Sequence, residues 1–591
     1  MNAGGARVDG LVLDPEFISM NWDGTWNAKT AITSYGWSAE IEIPAQIIRF
    51  NRSLDRWGFN FQRFVARDRI TLRWSGISLD ARLSDLRRAG VLEGVGGLKQ
   101  GVGLSFIPYG MTRSDRDEGR GNYVTTGDLG GDISYSITPD LTAAITVNTD
   151  FAETEVDNRR INLTRFALFF PEKRSFFLEG SDLFNFGAGL HRDFIPFFSR
   201  RIGLYEGEVV PIEYGARVLG HIGKLSMAML DVVASETEWT DRTNLFAGRL
   251  AYDVGEHLTV GIIATHGNPD GVNRNYLSGF DAIWQTSTLF GDKNFSIGAW
   301  YATSGGDIPE GQKYGYGVKV DYPNDLWDVF LVFREFGDAL YPALGFLPRP
   351  GTRWYSLGGA FQPRPSGGLF DWVRQFYFEL YTSFVTGLDG RVQSWRVFTA
   401  PFNASTESGE HLEANYVPQF ERLDEPFEVA EGVVIAPGDY RFTRYRVEAQ
   451  SSRHRPWRIG STVWFGGFYT GTLIQWESFL RVNILSSHLM LSVESENDFG
   501  YLPEGNFVKR LYQLKSILAL SPDLNFSSYI QYDTESKNLG LNARFRWTIS
   551  PGNNFYIVWN KGWNRIDTSG TFPFEPIDNH VAVKLKFTFR I

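Results

Sequence analysis

The sequence predicts an all-β fold: a large transmembrane antiparallel β-barrel of about 24 strands, within a range of about 22–26, with an insert in its lumen. Three observations predict it. Apolar and polar residues alternate with period two, repeatedly, from about residue 101 to the end of the chain. Short and long connections alternate between these stretches. One segment, Phe169–Gly180 (FFPEKRSFFLEG), is too aromatic for a water-exposed loop and too charged for lipid.

The composition suits strands. Aromatic residues make up 15% of the 591 residues and 62 are Gly, a mixture that favours strands and tight turns over helices. Cysteine is absent, which excludes disulfides, thiolate nucleophiles and Cys-ligated metal and suits passage through an oxidising compartment. A net charge of −10 lacks the basic field of a nucleic-acid binder, so no nucleic-acid partner is expected. No apolar run approaches the roughly 18–20 residues of a membrane helix. That says nothing against a barrel, whose lipid face is hidden on alternate residues. The start, MNAGGARVDGLVLDPEF, shows no basic stretch followed by an apolar one, so a barrel of this sequence implies an export signal outside it.

The barrel is expected over residues 100–591. Its clearest strand is the last. In VAVKLKFTFRI, Val583, Leu585, Phe587, Phe589 and Ile591 share one face, and Lys584, Lys586, Thr588 and Arg590 the other. LNARFRWTIS sets Leu541, Phe545, Trp547 and Ile549 against Arg544 and Arg546; TRYRVEAQ sets Tyr445 and Val447 against Arg444, Arg446 and Glu448. Seven polar members, Arg444, Arg446, Glu448, Arg544, Arg546, Lys584 and Lys586, are the candidate lumen-lining residues. Tight turns at Thr138–Leu141, His221–Leu225, Asp253–Leu258, Tyr322–Asp325, Ser521–Leu524 and Ser550–Asn554 belong to one rim. Longer links at 111–127, 234–243, 303–312 and 421–438 belong to the other, the asymmetry of an outer-membrane barrel rather than a soluble sandwich.

Strand parity makes residues 150–210 an outer-rim loop by connectivity. Its phenylalanines would leave a large apolar patch in water, and its charged, irregular backbone is not tolerated in lipid. The lumen of a barrel this wide needs filling. The segment is therefore expected as a plug or constriction, with a lid over the outer rim as the alternative. Glu172, Lys173, Arg174, Phe176, Phe177, Glu179, Arg200 and Arg201 are its candidate residues. The phenylalanines are expected to form a small core of the insert, and Glu172, Lys173, Arg174 and Glu179 to bond the charged inner wall, since buried charges must be paired.

At this point the sequence resembles a family. VNTDFAETEVDNRRINLTRFALFFPEKRSFFLEGSDLFNF followed by FFSRRIG is similar to the signature of large bacterial carbohydrate-binding family 9-like domain-containing proteins. In them a β-sandwich precedes a long C-terminal domain of unknown function. WDGTWNAKTAITSYGWSAEIEIPAQIIRF and RWGFNFQRFVARDRITLRW look like the end of that sandwich. The resemblance implies that residues 1–90 are the C-terminal part of such a module, truncated and periplasmic, beneath an outer-membrane barrel. The half expected to hold sugar-binding residues is missing, so none is assigned.

Candidate chemistry is sparse. Asp150, Glu153, Glu155 and Asp157 form an acidic cluster with oxygen ligands suited to calcium; acids paired with neighbouring arginines are the favoured alternative. No carboxylate pair is singled out for glycoside hydrolysis. The eight histidines form no H-E-x-x-H, and no P-loop is present. No catalytic residue, metal or cofactor is assigned. Trp327, Trp457, Trp464, Trp547, Trp559 and Trp563 are expected in the interfacial girdle rather than on a sugar platform. The reading is an outer-membrane channel or transporter for a small solute or oligosaccharide. Its expected partners are outer-membrane lipid and the barrel-assembly machinery. The alternatives are a carbohydrate-binding or carbohydrate-active protein, and an outer-membrane anchor or assembly partner.

Overall fold

Alternation along the strands becomes two surfaces. In the computed structural model, which describes all residues except 15, 16, 21, 23, 66, 67, 69, 80, 100, 118–121, 150, 152, 153, 155, 191, 485–487 and 567–573, strand segments from Leu104 to Arg590 close into one antiparallel barrel. Two pairs of segments, Val373–Phe376 with Phe378–Gly387 and Phe574–Lys586 with Phe589–Arg590, are single interrupted strands. The described barrel therefore has 24 strands. It closes where Phe574–Lys586 pairs with Leu104–Asp117, so no sheet edge is left open. No helix among the described residues is long and apolar enough to cross a membrane.

The last strand divides as expected: Val583, Leu585, Phe587 and Phe589 are outward and exposed while Lys584 is 3% exposed. Outward aromatics mark both ends of the wall, with Tyr276, Tyr301, Tyr316, Tyr416 and Tyr501 towards one rim and Trp284, Trp327, Trp457 and Trp547 towards the other, an interfacial girdle.

The link expected at 111–127 is mostly strand, because Leu104–Asp117 and Tyr123–Thr138 continue their ladder beyond the apolar band. The rims are also less asymmetric than expected. The rim of long links includes the tight turns between Phe468 and Gly471 and between Leu502 and Gly505. For convenience the two are called the long-loop rim and the tight-turn rim.

Residues 1–99 carry four separate two-stranded sheets among the described residues. Each strand has one partner, and Gly36–Glu42 is exposed along its whole length. The segment touches the tight-turn rim: Arg7 pairs with Asp523 at 2.6 Å, Arg88 donates to the Asp292 carbonyl, the Phe50 N–H donates to the Pro139 carbonyl, and Phe64 stacks on His454.

Candidate functional site

The chain leaves the barrel after Leu141–Thr149 and rejoins it at Ile212–Ile222. The described residues between these strands lie against inward-facing side chains around the barrel. At their centre is Arg174, 7% exposed. Its guanidinium makes two hydrogen bonds to Glu172, at 2.9 and 2.7 Å, and donates to the carbonyls of Ile202 and Ser199. The Phe177 ring lies 4.3 Å from it. Ser199 Oγ donates to the second Glu172 oxygen at 2.7 Å, so this buried ion pair is hydrogen-bonded on both sides, as burial demands. Lys173 donates to the Val156 carbonyl, and Arg200 pairs with Asp157 at 2.5 Å. The short helix Ser175–Leu178 buries Phe176, Phe177 and Leu178. Gly180, at φ 73°, follows it, a left-handed stop that glycine adopts without strain.

The expectation for the insert's charges therefore needs correction. Glu172, Lys173 and Arg174 do not bond the inner wall; they bond one another's surroundings inside the insert. Of the four, Glu179 reaches the wall, where it pairs with Arg217, which also donates to the Phe176 carbonyl. Arg444, Arg446, Arg544 and Arg546 lie on other strands. Arg444 is 4% exposed, Arg446 bridges Glu413 and Glu448, and Lys584 lies over the Tyr109 ring. Lys586 stands opposite Tyr109 and Asn554 in the ladder.

The phenylalanines do not form a private core either. Phe176 and Phe177 pack on Ile212, Leu230, Val232 and Leu245 of the wall. Phe186 and Phe194 pack on Ile263, Leu277, Trp300 and Phe336. The inner face over the strands from Ile212 to Phe336 thus packs apolar side chains against the insert, with Arg217, Arg249, Asp281 and Arg334 set among them. It is seated for the insert: a Cβ at Gly279 would stand 2.7 Å from the Phe186 ring, and one at Gly298 would stand 2.5 Å from Ala188. Polar clasps join the same surfaces. Asp281, paired with buried Arg249 at 2.6 Å, accepts the Gly187 N–H at 2.9 Å, and Arg334 pairs with Asp193.

A second inward segment, residues 337–351, was not expected. It pairs with the insert through the Ile195–Phe346 bridge, the Phe198 N–H donates to the Leu344 carbonyl, and Arg201 donates to the Ala343 carbonyl. Ala343 and Leu344 are fully buried. The run ALYPALGFLP, apolar in what counts as an outer loop, was the available signal.

Opposite this half of the wall, the strands from His411 to Lys586 carry most of their inward polar side chains along the strand middles, with an apolar cluster of Leu423, Phe468, Leu473, Leu502 and Phe507 towards the long-loop rim. The insert reaches that wall through a strap, residues 156–166. The Arg159 N–H donates to Gln531 Oε1 at 2.7 Å, the Arg159 guanidinium pairs with Asp533 at 2.9 Å, and Gln531 and Gln513 donate to the carbonyls of Asp157 and Arg159. Arg165 stands 3.6 Å from Glu421. Beside the strap is a cavity of about 730 Å³ bordered by Arg160, Phe170, Asp533, Glu535 and Asp578. Farther along the wall, the inward-facing Glu477 and Arg481 are exposed to water.

Trp464 is a further correction. It stands opposite Arg446 and Gln475 and so faces the lumen, with Arg396 and Arg446 5.6 and 5.7 Å from its ring. Of the acidic cluster, Asp150, Glu153 and Glu155 lie outside the described residues, and Asp157 is paired with Arg200 and Lys173. Among the described residues no group of three acids or histidines is arranged to hold a metal ion.

Comparison with known proteins adds a partial match. A family described as a domain of unknown function (DUF5916) matches residues 101–213. That stretch contains the signature read in the sequence but not the upstream part that resembles a family 9 module. A search of curated proteins found no match. Among solved structures, the siderophore receptor PirA of Pseudomonas aeruginosa aligns with TM-score 0.41 and 10% identity over 82% of this chain and 80% of that one. A mutant of the ferric enterobactin receptor PfeA of the same organism, in complex with enterobactin, aligns with TM-score 0.41 and 10% identity over 82% and 81%. Pseudomonas aeruginosa OpdO aligns with TM-score 0.29 and 6% identity over 82% and 96%.

Proposed function

We propose that the protein is an outer-membrane channel or transporter for a small hydrophilic solute, with residues 150–210 as its internal constriction. The observation that carries this reading is the division of the lumen. One half-wall packs two apolar clusters and several ion pairs against the insert, which covers it. The other is polar, is crossed by the strap, and keeps inward-facing charges in water. An anchor needs a barrel but has no use for a hydrated polar wall. Lumen charge then sets which solutes enter, and the strap sets when.

On this reading the partners are outer-membrane lipid at the apolar band and the barrel-assembly machinery that inserts it, and the tight-turn rim with residues 1–99 faces the periplasm. We read residues 1–90 as the closing part of a family 9-like sandwich, which makes oligosaccharides a reasonable first solute class to test.

The test is planar-bilayer conductance of the full chain and of Arg159→Ala. Loss of the Asp533 pair and of the Asn538 contacts is expected to raise open probability or unit conductance. Two closed proteins would count against a passage and leave the anchor role ahead.

A further inference from the structure

Three buried arginines that fasten the insert are charge-balanced in place. Arg174, Arg249 and Arg334 are each 7% exposed or less, and each is paired with a carboxylate, as a buried charge requires. Arg349 is not. It is 9% exposed, yet its guanidinium donates to two neutral groups, Ser394 Oγ at 2.8 Å and Gln393 Oε1 at 3.2 Å. Its Nε has no acceptor among the described residues. Glu421, the carboxylate that acts on it from farther away, stands 3.6 Å from Arg165.

Arg349 lines a second cavity, of about 300 Å³. It lies at the long-loop end of the barrel, where Phe336 ends one strand and Thr352 begins the next. The insert contributes Phe166, Phe169 and Arg192, the inward segment Phe346, and the wall Trp354. The Arg349 guanidinium is 5.0 Å from the Phe166 ring and 5.4 Å from the Trp354 ring. Arg192 is exposed and stands 5.0 Å from the Phe169 ring; among the described residues it has no ion pair and no hydrogen bond. A guanidinium that rests its face on a ring keeps its edge donors for an oxyanion. The cavity's own carboxylate, Asp193, is already paired with Arg334. Arg160 borders both this cavity and the 730 Å³ one and joins them; its charge is shared with the acids of the larger cavity.

We propose that the smaller cavity is a binding site for an aromatic carboxylate. Arg192 and Arg349 hold the carboxylate, as guanidinium forks hold planar oxyanions, and the anion supplies the countercharge that Arg349 lacks. The ring lies against Phe166, Phe169 and Trp354. A volume of about 300 Å³ is at the small end of ligand pockets and suits one ring with a short acidic arm. This rests on the passage reading above and names the chemical class of its solute. The site lies beside the strap, where a solute that enters from the long-loop rim is retained before it moves on.

The experiment is titration calorimetry of the full chain in detergent micelles, with empty micelles as the blank. The probes are cinnamate, its neutral counterpart cinnamamide, and acrylate, which has the acid without the ring. Cinnamate is expected to bind at one site, and the other two about tenfold more weakly or less. Arg349→Gln and Arg192→Gln should each weaken cinnamate by about tenfold and leave cinnamamide unchanged. Arg192 is exposed and unpartnered, so its variant decides the matter even if Arg349→Gln loosens the inward segment. Equal affinity for cinnamate and cinnamamide, no cinnamate binding, or unchanged affinity in Arg192→Gln would overturn the site. In planar bilayers, cinnamate added at the long-loop side should block current through Arg159→Ala reversibly, and should not block Arg159→Ala combined with Arg192→Gln. Binding without current in any form would overturn the passage and leave the site standing; current without binding would do the reverse.

Discussion

Arg174 shows how a segment rich in charge can sit inside a protein. Four of its N–H donors are spent on one carboxylate and two carbonyls, and its flat face lies on Phe177. Removing one partner of such a pair strands a buried charge. Arg174→Met is therefore expected to destabilise the insert by about 3–5 kcal/mol while the barrel stays folded. Hydrogen exchange across residues 156–211 and the barrel strands would check this, and Arg174→Met combined with Glu172→Gln should recover part of the loss. Glu172 also makes the insert pH-sensitive. Burial pushes its carboxyl pKa up, but the hydrogen bonds and charge of Arg174, with Ser199, outweigh burial and hold it below the usual carboxylate value. A depressed folded value means the stabilisation is complete above the unfolded value of about 4.3 and is lost as pH falls below it. Protection of residues 172–202 from exchange should therefore be unchanged from pH 8 to 5 and fall by pH 3. Equal protection at pH 3 and 7 would contradict this.

Among the elements, the strands differ in a way the sequence shows. LNARFRWTIS and VAVKLKFTFRI alternate strictly, and their inward faces are polar. LSMAMLDVVA does not alternate, and LTVGIIATH breaks its alternation at Ile263; the inward residues Leu230, Val232 and Ile263 carry the insert. Where the insert covers the inward face, apolar residues replace polar ones in the inward phase. The weak alternation there marks where the insert docks; it is not noise in the strand pattern. Gly279 makes the seat fit. Gly279→Val would push the Phe186 ring aside, and overpacking of this kind costs about 1–3 kcal/mol. The expected outcome is a lower thermal midpoint for loss of insert protection and a changed fluorescence of Trp300, 6.3 Å from Phe186. Phe280→Leu on the lipid face should leave both unchanged.

For the whole molecule, the insert is held unequally. Two aromatic clusters and several ion pairs bind it to one half-wall. The strap meets the other with a few hydrogen bonds and the Arg159–Asp533 and Arg165–Glu421 pairs. Phe176, Phe177, Phe186 and Phe194 are each buried to 8% exposure or less, and burial of each stabilises by about 1.5–3 kcal/mol. The strap has no comparable apolar anchorage beyond Leu163. Movement that opens a passage is therefore expected at residues 156–166 rather than by loss of the whole insert, which is why Arg159→Ala is a sharper conductance test than deletion.

The sequence by itself determined the barrel, its approximate strand number and the two-faced alternation of strands such as VAVKLKFTFRI. These follow from local rules: side chains alternate every residue in a strand, lipid excludes charge, and water penalises exposed aromatics. Tertiary structure alone decided what the enclosed segment binds. Glu172 chose Arg174 and Ser199 over the wall, Trp464 turned inward, and residues 337–351 joined the insert. Those outcomes depend on which strands closure of the barrel brings opposite one another, and that is a property of the whole circumference that no window of the sequence contains.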